Sequence, residues 1–168
     1  MSSAEKSLQL YFLRHADAGD PEAWAGDDAA RPLSEKGELQ AERLGTFLAE
    51  IGFRPDAIIT SPKVRAARTA EVVGDAIGVG VREDDRLAGG FGPAAVDAIL
   101  ADAGAPRKVV LVGHDPDFSQ NLAWLADADG LTMKKGAFAR VDVRGNVADG
   151  HGTLRWLVPP DLLDRDRR

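Results

Sequence analysis

Two kinds of apolar pattern alternate along the chain. Short, nearly continuous runs occupy Leu10 to Leu13, Ala57 to Thr60 and Lys108 to Gly113, and each stops abruptly at polar residues. Runs of that length and density predict strands buried on both faces, as in a parallel sheet covered by helices. Between them lie stretches at helical spacing. Leu44, Phe47, Leu48 and Ile51 follow Ser34, which predicts a helix capped by that serine and closed at Gly52. Ala66, Ala70, Val73 and Ile77 form a second stripe, with Ser61 as the expected N-cap and Pro62 at the first helical position. Val79 to Arg82 reads as a short third strand, and Pro93 to Ala103 and Phe118 to Ala126 as two further helices.

The last third changes character. Ala137 to Val143 and Thr153 to Val158 flank the turn-rich segment Arg144 to Gly152, which predicts an antiparallel hairpin at one sheet edge. The tail, Asp161 to Arg168, is highly charged and its end is expected to fray. Together these elements predict an α/β fold of three layers, α/β/α, around a mostly parallel sheet with an antiparallel edge. A length of 168 residues suits one domain, residues 1–168, with its core from about 8 to 163.

Composition narrows the function. With 44% hydrophobic and 29% charged residues the chain reads as a soluble globular protein, and no apolar run nears the ~20 residues of a membrane helix. The start, MSSAEKS, carries no apolar signal segment, so the expectation is a cytoplasmic protein without membrane attachment. There is no cysteine, which excludes disulfides and thiolate chemistry. A net charge of −6 argues against nucleic acid as a partner.

The chemistry begins where the strands stop. The first run breaks into Arg14 and His15, the second leads through Ser61-Pro62 to Arg65, and the third runs into His114. Ligands of open α/β sheets bind outside the carboxyl ends of parallel strands, so these residues can converge. Two arginines and two histidines around one pocket offer a fork of fixed N–H donors and two adjustable ones, which matches a phosphoryl group. Arg14 and Arg65 should help to keep His15 neutral and nucleophilic, a bound dianion should favour a proton on His114, and water would then hydrolyse a phosphohistidine intermediate. Asp17, His15, His114 and Asp115 could be drawn as a metal site, but the arginines among them argue for no metal and no cofactor. His151 is expected in an exposed turn, and the scattered Trp24, Trp124 and Trp156 as packing residues.

These motifs carry a family resemblance. Leu13-Arg14-His15-Ala16 resembles the RHG signature of the histidine phosphatase superfamily, Ser61 to Ala70 (SPKVRAARTA) its second arginine motif, and Val112-Gly113-His114 its third. Arg31 to Gly37 (RPLSEKG), the short length and Lys134-Lys135-Gly136-Ala137 are most similar to the SixA-type phosphohistidine phosphatases. The resemblance implies a phosphoglycerate mutase-like fold, a phosphoryl acceptor at His15 assisted by Arg14, Arg65 and His114, and no metal. It implies as partner a phosphorylated protein bearing phosphohistidine. A small phosphate ester, or phosphate binding without turnover, are the alternatives. The chain lacks room for the insertions with which a mutase encloses its substrate.

Two departures bear on mechanism. Ala16 stands where the commonest motif has glycine. Many relatives carry a glutamate proton donor after the third strand, where this chain reads Asp84-Asp85-Arg86-Leu87. Asp85, Glu83, Asp17 and Asp115 are the candidate donors, although a carboxylate beside a phosphate site equally often holds an arginine or caps a helix. Arg31 either lines the pocket mouth or pairs with Asp27 or Asp28.

Overall fold

The computed structural model describes residues 7–166. Six strands form one sheet: β1 (Leu8–Arg14), β2 (Ala57–Thr60), β3 (Val81–Glu83), β4 (Lys108–Gly113), β5 (Phe138–Val143) and β6 (Gly152–Val158), in the order β3-β2-β4-β1-β5-β6. The first four are mutually parallel, and β5 and β6 add an antiparallel edge beside β1. Four helices, α1 (Glu35–Glu50), α2 (Val64–Ile77), α3 (Pro93–Asp102) and α4 (Asp117–Ala126), cover the two faces.

The unbroken apolar runs are explained by this sandwiching. In β1, Leu10 and Phe12 join a cluster with Val96 and Ile99 of α3 and Phe118 and Leu122 of α4. Tyr11 and Leu13 point the other way, to Leu44 and Leu48 of α1 and Ala66, Ala70 and Val73 of α2. In β4 the alternation repeats, with Val109 and Leu111 on the first side and Val110 and Val112 on the second. Each apolar residue of β1 and β4 therefore meets a core, whichever face it occupies.

Two expectations need correction. Ser61 is not a helix cap: α2 starts at Val64, its N-cap Lys63 makes no side-chain capping bond, and Ser61 is buried and bonded elsewhere. The third strand is Val81–Glu83 rather than 79 to 82, and all its residues are exposed because it is a sheet edge. The tail before its end is tied to the fold as far as Arg165. Pro160–Leu163 forms a 3-10 turn, Leu163 packs on the α1/α2 core, and Arg43–Asp164 and Arg165–Glu50 pair it to α1. Residues 1–6 and 167–168, which include most of the MSSAEKS start and the end of the tail, lie outside the described residues.

The loop after β1 is fixed by close approach to α1. Ser34 Oγ accepts from Gly37 N–H, as an N-cap should, and donates to Asp17 Oδ2 at 2.6 Å. The backbone of Gly37 comes so near that a Cβ there would run into the Asp17 carbonyl oxygen. Gly37→Ala is thus expected to cost about 3 kcal/mol or more, since backbone on both sides must shift. Gly80→Ala, with nothing within 4 Å of the added Cβ, should stay within about 0.5 kcal/mol. Urea unfolding of both variants measures the contrast, and equal midpoints would contradict the tight contact.

Candidate active site

Strand order brings the chemistry together. β2, β4 and β1 are adjacent, so the segments leaving their carboxyl ends lie side by side. The stitching is explicit: Ser61 N–H donates to Val112 O, His15 N–H to Gly113 O, and Arg14 N–H to Ala137 O. Gly113 is required, since a Cβ there would stand 2.7 Å from the Phe118 ring. At position 16 the backbone does not adopt positive φ, so alanine fits where the commonest motif has glycine.

His15 and His114 end up with ring centroids 5.1 Å apart, and His15, Arg65 and His114 are each about 5–6% exposed. Their hydrogen bonds follow one rule: each side chain is gripped on one atom or edge and left free on another. His15 Nδ1 lies 2.7 Å from the Ala16 carbonyl, which can only accept, so the ring proton sits on Nδ1 and Nε2 keeps its lone pair. His114 is set the opposite way. Its Nε2 is 2.7 Å from Ser61 Oγ, and that hydroxyl already accepts from Lys63 N–H. Ser61 is fully buried, so its own proton is satisfied by His114 Nε2, which leaves the His114 proton on Nδ1.

The arginines repeat the theme. Arg14 Nη1 donates to Met133 O at 2.6 Å and lies 3.6 Å from Asp115. Arg65 Nη1 donates to Asp28 O at 2.8 Å and Nη2 to Asp28 Oδ2 at 3.0 Å. Arg14 Nε, Arg65 Nε and His114 Nδ1 are buried with no partner among the described residues. A buried donor without an acceptor normally costs about 1–3 kcal/mol, so three around one histidine make a cradle suited to an oxyanion.

Burial, more than the arginines, sets the imidazole charge. Desolvation is the largest influence lowering His15 to about 4, with Arg65 and Arg14 adding to it against the Ala16 hydrogen bond. His114 is lowered to about 3, again chiefly by burial, then by His15 and Arg65. The sequence names Arg14 and Arg65 as neighbours that keep His15 neutral, and the fold adds desolvation as the larger cause.

The carboxylates divide. Asp17 is held by Ser34, whose hydrogen bond keeps its carboxyl below the usual range, and lies 3.8 Å from Lys135. Asp115 accepts from Ser119 N–H and Ser119 Oγ and faces Arg14. Both are thus engaged in holding an arginine or a helix start. Asp85 and Glu83 are exposed and make no hydrogen bond or ion pair to His15, Arg14, Arg65 or His114. Arg31 is buried, pairs with Asp28 at 3.1 Å and donates to Ala18 O at 2.6 Å. Thr69 links the halves, accepting from Ala16 N–H and donating to Arg65 O. Sequence reasoning missed Ser61, Thr69 and the Arg65 side of Asp28. The SPKVRAART motif holds Ser61 and Thr69 but does not say what they touch. Among the described residues no three acidic or histidine side chains gather as metal ligands, and no helix is long and apolar enough to cross a membrane.

A family model described as histidine phosphatase superfamily (branch 1) matches residues 10–93, half of the chain, including Arg14, His15 and Arg65. The chain belongs to the histidine phosphatase superfamily. His114 falls beyond the matched segment, but structural similarity extends past it. A SixA protein histidine phosphatase in complex with tungstate superimposes with a TM-score of 0.76 at 25% identity, over 94% of this chain and all of that one. An uncharacterized protein of Picosynechococcus is 34% identical over 137 residues, 76% of this chain and 81% of that protein. A probable phosphoglycerate mutase GpmB of Erwinia tasmaniensis is 32% identical over 120 residues, 64% of this chain but 52% of its own length. The chain therefore spans about half of that mutase-type relative. Membership of the superfamily and the SixA-like fold support a phosphatase that works through histidine.

The depressed imidazoles make stability pH-dependent. Between about pH 4 and the ordinary value of 6.5 the unfolded chain binds protons that the folded chain refuses, so stability rises with pH across this window and falls on acidification. Urea unfolding should show a loss from pH 7 to 5, and His114→Asn should flatten that slope. An unchanged slope in the variant would mean that His114 is not held neutral by the fold.

Proposed function

We propose that this protein hydrolyses phosphohistidine in a protein, with His15 as the phosphoryl acceptor. The observation that carries the reading is the set of three buried, unpartnered donors on the residues around an imidazole whose free nitrogen bears a lone pair. His15 Nε2 attacks phosphorus while the bond from phosphorus to the substrate nitrogen breaks. Arg14 Nε, Arg65 Nε and His114 Nδ1 receive the charge of the equatorial oxygens. The His15 proton stays on Nδ1 against the Ala16 carbonyl, so the phosphorylated ring is a good leaving group. Water then attacks phosphorus, releasing orthophosphate and restoring neutral His15. A SixA relative has been captured in complex with tungstate, a tetrahedral oxyanion of the shape such a cradle would take.

Substrate class follows from the acid. Expelling an alkoxide needs a protonated donor, worth ~10²–10⁴ in rate. Asp17 is kept ionised and Asp115 is tied to Ser119 and Arg14, so neither is placed as such a donor. Phosphohistidine needs less help, because its imidazole carries a proton on the far nitrogen and departs neutral. The small-phosphomonoester reading rests on the similarity to the mutase-type relative and makes the opposite forecast.

Three measurements test the proposal. Brief reaction followed by denaturation should trap acid-labile phosphate on His15, and label on His114 or full turnover by His15→Ala would reverse the roles. Arg65→Ala should lower turnover at least ~100-fold, with Arg68→Ala much milder because Arg68 is spent on Glu38 and Glu71. A phosphohistidine peptide should have a higher kcat/KM than sugar phosphates, with chelators leaving the rate unchanged. A sugar phosphate hydrolysed more efficiently would overturn the substrate assignment, and strict dependence on added divalent metal the mechanism.

A further inference from the structure

Arg65 lies at the start of α2, and the side chain that orients it comes from a different part of the chain, the loop between β1 and α1. Asp28 opens a short 3-10 turn, Asp28–Ala30, that Asp27 caps by accepting from Ala29 N–H. From there it meets Arg65 twice, by its backbone carbonyl at Nη1 and its carboxylate at Nη2. A guanidinium is planar and has distinct edges. The end-on edge, formed by the two Nη atoms, is thus fully taken by Asp28. The side edge, formed by Nε and the second proton of Nη2, is left over, and its Nε is buried without a partner. The second carboxylate oxygen of Asp28 accepts from Arg31 Nε at 3.1 Å, and Arg31 in turn grips the carbonyls of Ala18 and Gly19. A closed ring of contacts therefore runs from the His15 loop through Arg31 and Asp28 to Arg65.

We propose that Asp28 is a positioning residue of the active site, clamping the outer edge of Arg65 so that its inner edge faces the transferred phosphoryl group. The proposal rests on the assignment of Arg65 to phosphoryl binding. Asp28 is unsuited to donate a proton, because Arg31 and Arg65 hold its carboxyl below the usual range. It is also unsuited to stand in for the phosphate, because it occupies the edge of Arg65 away from the orphaned Nε. Its side chain is half exposed, so its removal should leave the fold intact.

A double-mutant cycle in Asp28 and Arg65 distinguishes action through the arginine from a separate effect. Asp28→Ala should lower kcat on an aryl phosphate roughly tenfold to a hundredfold and weaken inhibition by orthovanadate, with melting temperature nearly unchanged. In the Arg65→Ala background the same substitution should do nothing further to either quantity. Asp28→Asn retains one oxygen for Arg65 and should fall between wild type and Asp28→Ala. Multiplicative losses in the double variant would overturn the proposal, as would tighter orthovanadate binding by Asp28→Ala, which would make the carboxylate a competitor for the fork. Asp28→Asn as impaired as Asp28→Ala would show that charge rather than orientation matters, and would overturn it as well. A wild-type rate in Arg65→Ala alone would instead defeat the assignment of Arg65 on which the proposal stands.

Discussion

Gathering two arginines and two histidines out of water at one point is an electrostatic problem, and most local features of this molecule answer it. Buried charges are tolerated when paired and hydrogen-bonded, and a group that can neutralise itself does so. The histidines take the second course, staying neutral because burial disfavours their cations. The arginines cannot, so each is compensated from behind, Arg14 by Asp115 and the Met133 carbonyl, Arg65 by Asp28. What remains uncompensated is the inward set of donors.

That arrangement explains why the loops are built as they are. The segment after β1 must turn back so that Asp28 reaches α2, and its path is held by Ser34 and Gly37 at the start of α1 and by Arg31 on the Ala18 carbonyl. Thr69, one turn after Arg65, fastens the same helix to the Ala16 amide. Likewise Ser119 at the start of α4 holds Asp115 and donates nothing to the site itself, while its hydroxyl accepts from Met133 N–H, the residue whose carbonyl receives Arg14. Helix starts, loop turns and arginine orientation are therefore one network.

How much of this the sequence discloses depends on whether a feature is local. Arg14, His15 and His114 stand out because each directly follows an apolar run, and the strand order then does the rest. Ser61 reads as a cap because Ser-Pro before a helical stripe is the usual signature of one, and only the third dimension shows that His114 uses the hydroxyl instead. Asp28 sat in view as a partner for Arg31, three residues away, whereas its bond to Arg65 spans 37 positions and has no sequence pattern. The anchored tail is a similar case. The sequence shows its charges but not their partners: Leu163 reaches the core and Asp164 finds Arg43 on α1.

The two histidines bring these strands of argument together. Chemically they are the same group, 5.1 Å apart and both neutral, and nothing in their side chains distinguishes an attacker from a donor. Their partners do. A carbonyl oxygen can only accept, so Ala16 fixes the proton of His15 on the nitrogen away from the pocket. A buried hydroxyl with one acceptor in reach donates to it, so Ser61 fixes the proton of His114 on the nitrogen that has no other use. On the proposed mechanism one ring then offers a lone pair and the other an N–H, without either becoming charged in the empty site. The arriving phosphoryl dianion would supply the counter-charge that burial removed, and would draw cationic character onto the rings only when there is an anion to meet it.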